Sequence, residues 1–272
     1  MKKNGKKKFK KILKEIKEIK IQGARNIAKA ALYAYSIYPI KQSIVKLMSA
    51  RPTEPMLFNV LKKAEKEPYE KIYRHFDEAQ EKINLYVFKI IKNNSIIFTH
   101  CHSTNVINAL IYAKKKGKKF EVYNTETRPL FQGRKTAEQL RRAGIKVTMF
   151  IDSAIGVALS KKETKKTIKV FLGSDALQKN GIINKIGSNV IAQIARLEKI
   201  PFYIIADSWK YSSNNISIEQ RGLNEIWNKA PKNIKIKNPS FEFVPKKNIT
   251  KIISELGILS YDKFLREVKK SQ

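Results

Sequence analysis

Two short stretches hold residue types able to move protons. In THCHS, residues 99–103, the single cysteine Cys101 lies between His100 and His102, two of only three histidines in the chain. In FLGSDALQKNG, residues 171–181, Asp175 follows directly on an apolar run. A thiol and a carboxyl at neighbouring strand ends make an acid/base pair, with the thiolate as base and a carboxyl of raised pKa as acid. A zinc or iron centre at the tripeptide needs three or four ligands, and only His75 remains to add one. Alternation in an extended segment also sends Cys101 to the side opposite both histidines. The expectation is no metal and no cofactor. Local pattern leaves Cys101 open between a small buried hydrophobe and a reactive thiol. Its place ahead of a helix start near Ser103, Thr104 or Asn105 favours the second, because a helix N-terminus lowers a thiol pKa and offers amides to anions. Asp175 is likewise open between a turn cap and an acid.

Around this pair the chain offers Arg51, Arg128, Arg134, Lys185 and Lys210, any of which could hold a phosphate, and each of which has an ordinary surface charge as its alternative. Gly23 in IQGARN and Gly133 in LFQGR open helical patterns and are candidate anion nests. No Walker or GxGxxG signature occurs.

The elements that must position these groups follow from periodicity. From Phe9 to about Lys92 apolar residues recur at helical spacing, as in Ile12, Ile16 and Ile19, or Ile83, Val87 and Ile91. The breaks fall at 21–26, 49–55 and 66–70, where Gly or Pro interrupts the pattern. From Ser95 onward the texture changes to short apolar runs, IIFTH, FEVYN, KVTMFI, IKVFLG and PFYIIA. Such runs read as buried parallel strands, and helical patterns lie between them at about 104–116, 133–143 and 187–199. The order βαβα predicts an α/β protein: an N-terminal helical domain over 1–92, then a Rossmann-like domain over 93–272 with a doubly wound, mainly parallel sheet. In such a sheet ligands sit beyond the carboxyl ends of the strands. THCHS, TETRP, DSA, SDA and DSWK each follow one of the five runs, so the expectation is one pocket shared by all five.

Composition bounds the rest. A chain of 272 residues, 42% hydrophobic, can bury a substantial core. One cysteine excludes an intramolecular disulfide, no secretory signal is visible, and no apolar run approaches the ~18 residues that span a bilayer. A soluble, cytoplasmic protein with no membrane partner is expected. The net charge of +33 invites a nucleic-acid reading, yet it comes mostly from Lys accompanied by Ile and Asn, a mixture that A/T-rich codons produce whatever the function. The segment MKKNGKKKFKK is the best candidate for a basic N-terminal arm, with weak, nonspecific nucleic-acid binding as its expected limit.

THCHS, TETRPLFQGRKTAEQL, AGIKVTMFIDSA, GSDAL with NGIINKIGS, and PFYIIADSWKY together resemble the family that unites the regulatory subunits of translation initiation factor 2B with two sugar-phosphate isomerases. The likeness runs in order from IQGARN to ITKIISELGILS. Within the family, THCHS resembles the archaeal-type ribose-1,5-bisphosphate isomerases, whereas methylthioribose-1-phosphate isomerases usually carry an Asn-containing sequence after the same Cys. The resemblance implies Cys101 and Asp175 as the catalytic pair. It implies substrate contacts from Gly23, Ala24, Arg25, Asn26, Arg51, Ser103, Thr104, Asn105, Asn184, Lys185 and Lys210. It further implies a phosphorylated pentose as substrate and a homo-oligomer, with a non-enzymatic regulatory or nucleotide-sensing protein and a methylthioribose-1-phosphate isomerase as the alternatives. The chain departs from the family at Gln22-Gly23-Ala24-Arg25, where an Arg-Gly-Ala-Gly type segment is usual, at Ser174, where Ala is usual, and in a shortened linker after RPT. Arg25 is the candidate replacement for the missing phosphate contact.

Overall fold

Helical periodicity in the first third of the chain produces five helices: α1 (Lys2–Lys17), α2 (Ala24–Ile37), α3 (Lys41–Ala50), α4 (Pro55–Ala64) and α5 (Tyr69–Ile90). The computed structural model describes residues 2–160, 162, 166–216, 218 and 221–271. From Lys2 onward the basic N-terminal segment forms the first turns of α1, whose apolar stripe buries Phe9 and Ile16 against Ile27, Ala31 and Leu47. Pro55 sits in the first turn of α4, where its missing N–H costs nothing. A second bundle core joins Ala28 and Leu32 of α2, Val60 of α4, and Ile72 and Phe76 of α5.

The remaining two thirds alternate strand and helix: β1 (Ser95–Thr99), α6 (Thr104–Lys115), β2 (Phe120–Thr125), α7 (Gln132–Arg142), β3 (Lys146–Phe150), α8 (Ile155–Leu159), β4 (Ile168–Leu172), β5 (Ala176–Leu177), β6 (Gly181–Lys185), α9 (Ser188–Leu197), β7 (Phe202–Ile205), β8 (Phe241–Pro245), β9 (Lys251–Ser254), β10 (Gly257–Leu259) and α10 (Tyr261–Lys270). The main sheet has the order β10-β9-β7-β4-β1-β2-β3 and is parallel except at the β9–β10 hairpin. Successive side chains point to opposite faces, so each strand feeds two cores. Ile96, Phe98, Val170, Leu172, Phe202 and Ile204 pack on α8, α9 and α10. Ile97, Phe171, Tyr203 and Ile205 pack on α5 and α6. This is the doubly wound arrangement.

Two features depart from the expectation. KVTMFI is the sheet's edge strand rather than a buried one: with only β2 beside it, every residue of β3 is exposed or half-buried, and Met149 and the following Ile151 are exposed. In addition, β5, β6 and β8 form a small antiparallel sheet. Their apolar runs are two to five residues long and interrupted by polar ones, too short to register as periodic.

Helix α5 ties the two halves. At 22 residues it is roughly 33 Å long. Its first half lies in the bundle, while Ile83 and Val87 lie on the sheet. The turn after β7 completes the junction. Trp209 stacks on His75 with ring centroids 3.5 Å apart, and the Asn59 amide of α4 donates to the carbonyls of Trp209 and Tyr211 at 2.8 and 2.9 Å. His75 Nε2 lies 3.2 Å from Asp207 Oδ1. Asp207 also accepts from the Trp209 amide, and Glu255 accepts from the amide and hydroxyl of Ser208. His75, Asp207 and Glu255 keep their potential ligand atoms within 4.8 Å of one another, but protein hydrogen bonds already occupy them, and we read the cluster as a junction. Among the described residues no helix is long and apolar enough to cross a membrane.

Burial, reinforced by the charge of Asp207, pushes the Glu255 carboxyl up to about 7, against the opposing Ser208 hydrogen bonds. A raised carboxyl pKa means that the folded state favours the protonated form. The contribution is therefore fully present below the ordinary value of 4.5 and is lost as pH rises through about 7. Glu255→Gln keeps an acceptor for Ser208 without the charge, so its stability relative to wild type is expected to rise by up to about 3 kcal/mol between pH 5 and 8. Parallel denaturant titrations at the two pH values would show it. A constant difference would mean that Glu255 stays charged throughout.

Candidate active site

At the carboxyl end of the sheet the chain leaves β1 through His100 and Cys101 and enters α6 at Thr104. An extended path is not what it takes. Cys101 has φ +64°, in the left-handed region that non-glycine residues seldom occupy. Its N–H donates to Thr127 Oγ1 at 3.0 Å, and its carbonyl accepts from Thr136 Oγ1 at 2.7 Å. The kink cancels the expected alternation, and His100, Cys101 and His102 all line one cavity.

The two histidines are fixed differently. His100 Nε2 lies 2.8 Å from the Ile186 carbonyl and must donate to it, so Nδ1 accepts from Thr125 Oγ1. Both ring nitrogens are occupied, and burial pulls the pKa of His100 down to about 4. His100 is a neutral wall residue. His75, considered above as a further metal ligand, lies at the α5 junction and does not line this cavity.

All thirteen residues that the family resemblance implied border the same cavity. Gly23, Ala24, Arg25 and Asn26 come from the start of α2, and Arg51 from the end of α3. Ser103, Thr104 and Asn105 form the start of α6, whose first-turn amides have no intrahelical partner. Asp175 follows β4, Asn184 and Lys185 end β6, and Lys210 closes the turn after β7. Gly173 is required here by close approach, since a Cβ on it would fall 2.5 Å from Ser103 Oγ. That hydroxyl is buried and has no hydrogen-bond partner among the described residues.

Not every cluster after a strand reaches the cavity. TETRP and DSA stand behind it: Asp152 accepts from the amides of Thr127 and Arg128 at 2.9 and 2.6 Å, and Thr127 in turn holds the Cys101 amide. Arg128 and Arg134 lie over the Phe131 ring, Arg134 pairing with Glu126, and neither lines the cavity. Gly133 is no anion nest. A Cβ there would meet the Thr125 carbonyl at 1.8 Å, so the glycine serves close packing of α7 on β2.

Six cations and two carboxylates line the cavity among the described residues: Arg25, Arg51, Lys135, Lys185, Lys210 and Arg221 against Glu54 and Asp175. The excess of positive charge suits an anion of multiple charge. Arg51 pairs with Glu54 at 3.2 Å, both buried. Arg25 reaches Asp77 at 2.6 Å and Gln80 at 3.4 Å on α5, so its guanidinium is tethered at the cavity wall. Gln80 also accepts from the Asn105 amide at 3.0 Å. Lys210 Nζ donates to the Ser174 carbonyl at 2.6 Å, and desolvation lowers its pKa against the pull of Asp175, Asp207 and Glu54. Lys185 lies 4.7 Å over the Phe241 ring.

The Cys101 thiol is not lowered by the helix start. Burial pushes it up to about 11; Lys185 opposes this, and the charges of Asp175 and Asp152 add to it. Helix α6 begins three residues later, too far to offset desolvation. Lys135, Arg221, Phe241, Glu54 and Gln80 were missed in the sequence reading. Lys135 lies within the TETRPLFQGRKTAEQL segment and Glu54 within the 49–55 break, but residue type alone did not mark either for the cavity.

A chain with this cavity has close relatives. Its sequence matches the model of the initiation factor 2 subunit family over residues 6–261. It is 34% identical to the ribose 1,5-bisphosphate isomerase of Methanocaldococcus jannaschii, covering 92% of this chain and 91% of that protein. It is 30% identical to the methylthioribose-1-phosphate isomerase of Dehalococcoides mccartyi, over 91% of this chain and 88% of the relative. Among solved structures, the Pyrococcus horikoshii translation initiation factor eIF-2B superposes with a TM-score of 0.79 at 25% identity, covering 93% of this chain and 96% of the other. On the family match and the long alignments, the chain belongs to the initiation factor 2 subunit family.

Proposed function

We propose that the protein is a sugar-phosphate isomerase that converts ribose 1,5-bisphosphate to ribulose 1,5-bisphosphate. The observation that carries this reading is a single cavity that combines a thiol, a carboxyl, six cations and the amide end of α6. The name of the M. jannaschii relative supports the bisphosphate substrate. The D. mccartyi relative supports a second reading, a methylthioribose-1-phosphate isomerase. Two phosphates account better for six cations than one does. A regulatory or nucleotide-sensing role on the same fold is the remaining alternative, and an acid/base pair in the cavity argues against it.

The reaction breaks the C1–O4 ring bond, removes hydrogen from C2 and delivers a proton to C1. In our account the Cys101 thiolate takes the C2 proton while protonated Asp175 gives its proton to O4. The thiol then protonates C1, and the C2 hydroxyl proton returns to Asp175 as the carbonyl forms, which balances the inventory. The raised thiol pKa has a place in this scheme. Asp175 is among the charges that hold it up, so protonating that carboxyl removes one obstacle to thiolate, and Lys185 supplies the counter-charge. The reactive form is a minor protonation state of the pair.

Phosphorus NMR should show conversion of ribose 1,5-bisphosphate and no change in methylthioribose 1-phosphate. The reverse pattern would favour the second reading, and folded protein inert to both would favour the regulatory one. Cys101→Ser and Asp175→Asn should each keep the fold and lose at least ~100-fold in turnover, up to ~10,000-fold. Near-normal turnover by folded Cys101→Ser would refute the base assignment. Because the thiol of the free protein ionises at about 11, its alkylation by iodoacetamide should be slow at pH 7 and should still be accelerating at pH 10. A rate already level by pH 8 would mean that the thiolate is populated at rest.

A further inference from the structure

Cys101 is flanked by two histidines whose ring nitrogens are committed in opposite senses. His102 Nδ1 lies 3.1 Å from Thr136 Oγ1, the same hydroxyl that donates to the Cys101 carbonyl at 2.7 Å. A hydroxyl has one hydrogen, and the carbonyl can only accept. Thr136 Oγ1 therefore faces His102 as an acceptor, and Nδ1 carries the ring hydrogen. Burial first, and the neighbouring Lys135 charge second, pull the pKa of His102 down to about 4, so the ring is neutral at physiological pH. A neutral ring protonated at Nδ1 has its lone pair on Nε2. Among the described residues that nitrogen has no protein hydrogen bond, and His102 borders the cavity with its Nδ1 edge turned to Thr136, a buried residue.

The cations and helix amides of the wall only donate, and its other neutral acceptors are hydroxyls and the side-chain oxygens of Asn and Gln residues, with Gln132 on the α7 side. Of its carboxylates, Glu54 is engaged by Arg51, and Asp175 belongs to the proton-transfer pair. A sugar brings hydroxyls, each of which has a hydrogen to donate, and the cations of the wall cannot accept it. We propose that His102 Nε2 is a neutral acceptor that takes a hydrogen bond from a hydroxyl of the sugar beside Cys101, and so helps the site select a hydroxylated sugar phosphate over phosphate alone. This rests on the sugar-phosphate reading above. The role differs from that of His100, whose two nitrogens are both spent on the protein.

With three histidines in the chain, long-range proton–nitrogen NMR of the full-length, histidine-labelled protein resolves each ring. The His102 signals are assigned by their loss in His102→Gln and His102→Leu. At pH 7 the free protein should show His102 protonated at Nδ1 and bare at Nε2. Adding ribose 1,5-bisphosphate to the Cys101→Ser variant should shift the Nε2 resonance toward its hydrogen-bonded value, while inorganic phosphate leaves it in place. Affinity for the sugar bisphosphate should fall about three- to tenfold in His102→Leu, which has no acceptor, and largely recover in His102→Gln. Affinity for inorganic phosphate should be the same in all. A proton on Nε2 in the free protein overturns the proposal, as does bound sugar that leaves Nε2 unmoved or binds His102→Leu as tightly as wild type. Protein that binds no ribose phosphate at all overturns the sugar-phosphate reading itself, whatever the tautomer.

Discussion

The left-handed backbone at Cys101 is the constraint on which the cavity depends. A non-glycine residue in that conformation costs about 1–2 kcal/mol, and it persists only where its surroundings over-determine it. Here they do so from two sides, through Thr127 on the amide and Thr136 on the carbonyl. Thr127 is held in turn by Asp152, and Thr136 sits in the first turns of α7. Thr127 and Asp152, in the segments after β2 and β3, thus serve the site without lining it. Relaxing Cys101 to an extended backbone would turn its side chain away from the cavity that its neighbours border.

The bundle supplies the opposite wall. Arg25 and Arg51 line it, and Arg25 is held by Asp77 and Gln80 of α5, the helix shared between the bundle and the sheet. Gln80 joins Arg25 to Asn105, so a residue of the bundle and the first turn of α6 are oriented by one amide. The His75–Trp209 stack and the Asn59 contacts fix the turn that carries Lys210. Charge collects where these elements meet, at the carboxyl ends of parallel strands, where the sheet leaves a crevice.

Much of this was legible in the sequence because it is periodic. The five apolar runs became β1, β2, β3, β4 and β7, and the intervening patterns became α6, α7 and α9. The chemistry of Cys101 and Asp175 was suggested by their position after such runs, and the positions taken from the family resemblance line one cavity. What could not be read is long-range. No local pattern announces that Thr127 and Thr136 would kink Cys101, that Gln80 would reach Asn105, or that Phe241 would lie beneath Lys185. The thiol pKa was misjudged for the same reason: a helix start is local and visible, whereas desolvation is a sum over the whole fold. The edge position of β3 depends on strand order, which hydropathy does not encode.

The account stands on proton transfer through side chains that border a solvent-accessible cavity. Turnover of ribose 1,5-bisphosphate in heavy water tests it most directly, with the ketose product analysed for deuterium at C1. A C2 proton taken by Cys101 and shared with Asp175 exchanges in part with solvent before the thiol delivers it. The account predicts deuterium at C1 of the product, and none at C1 of recovered substrate. Product formed at a normal rate with the original C2 hydrogen wholly retained at C1 would contradict it, because the hydrogen would then have moved directly between the carbons.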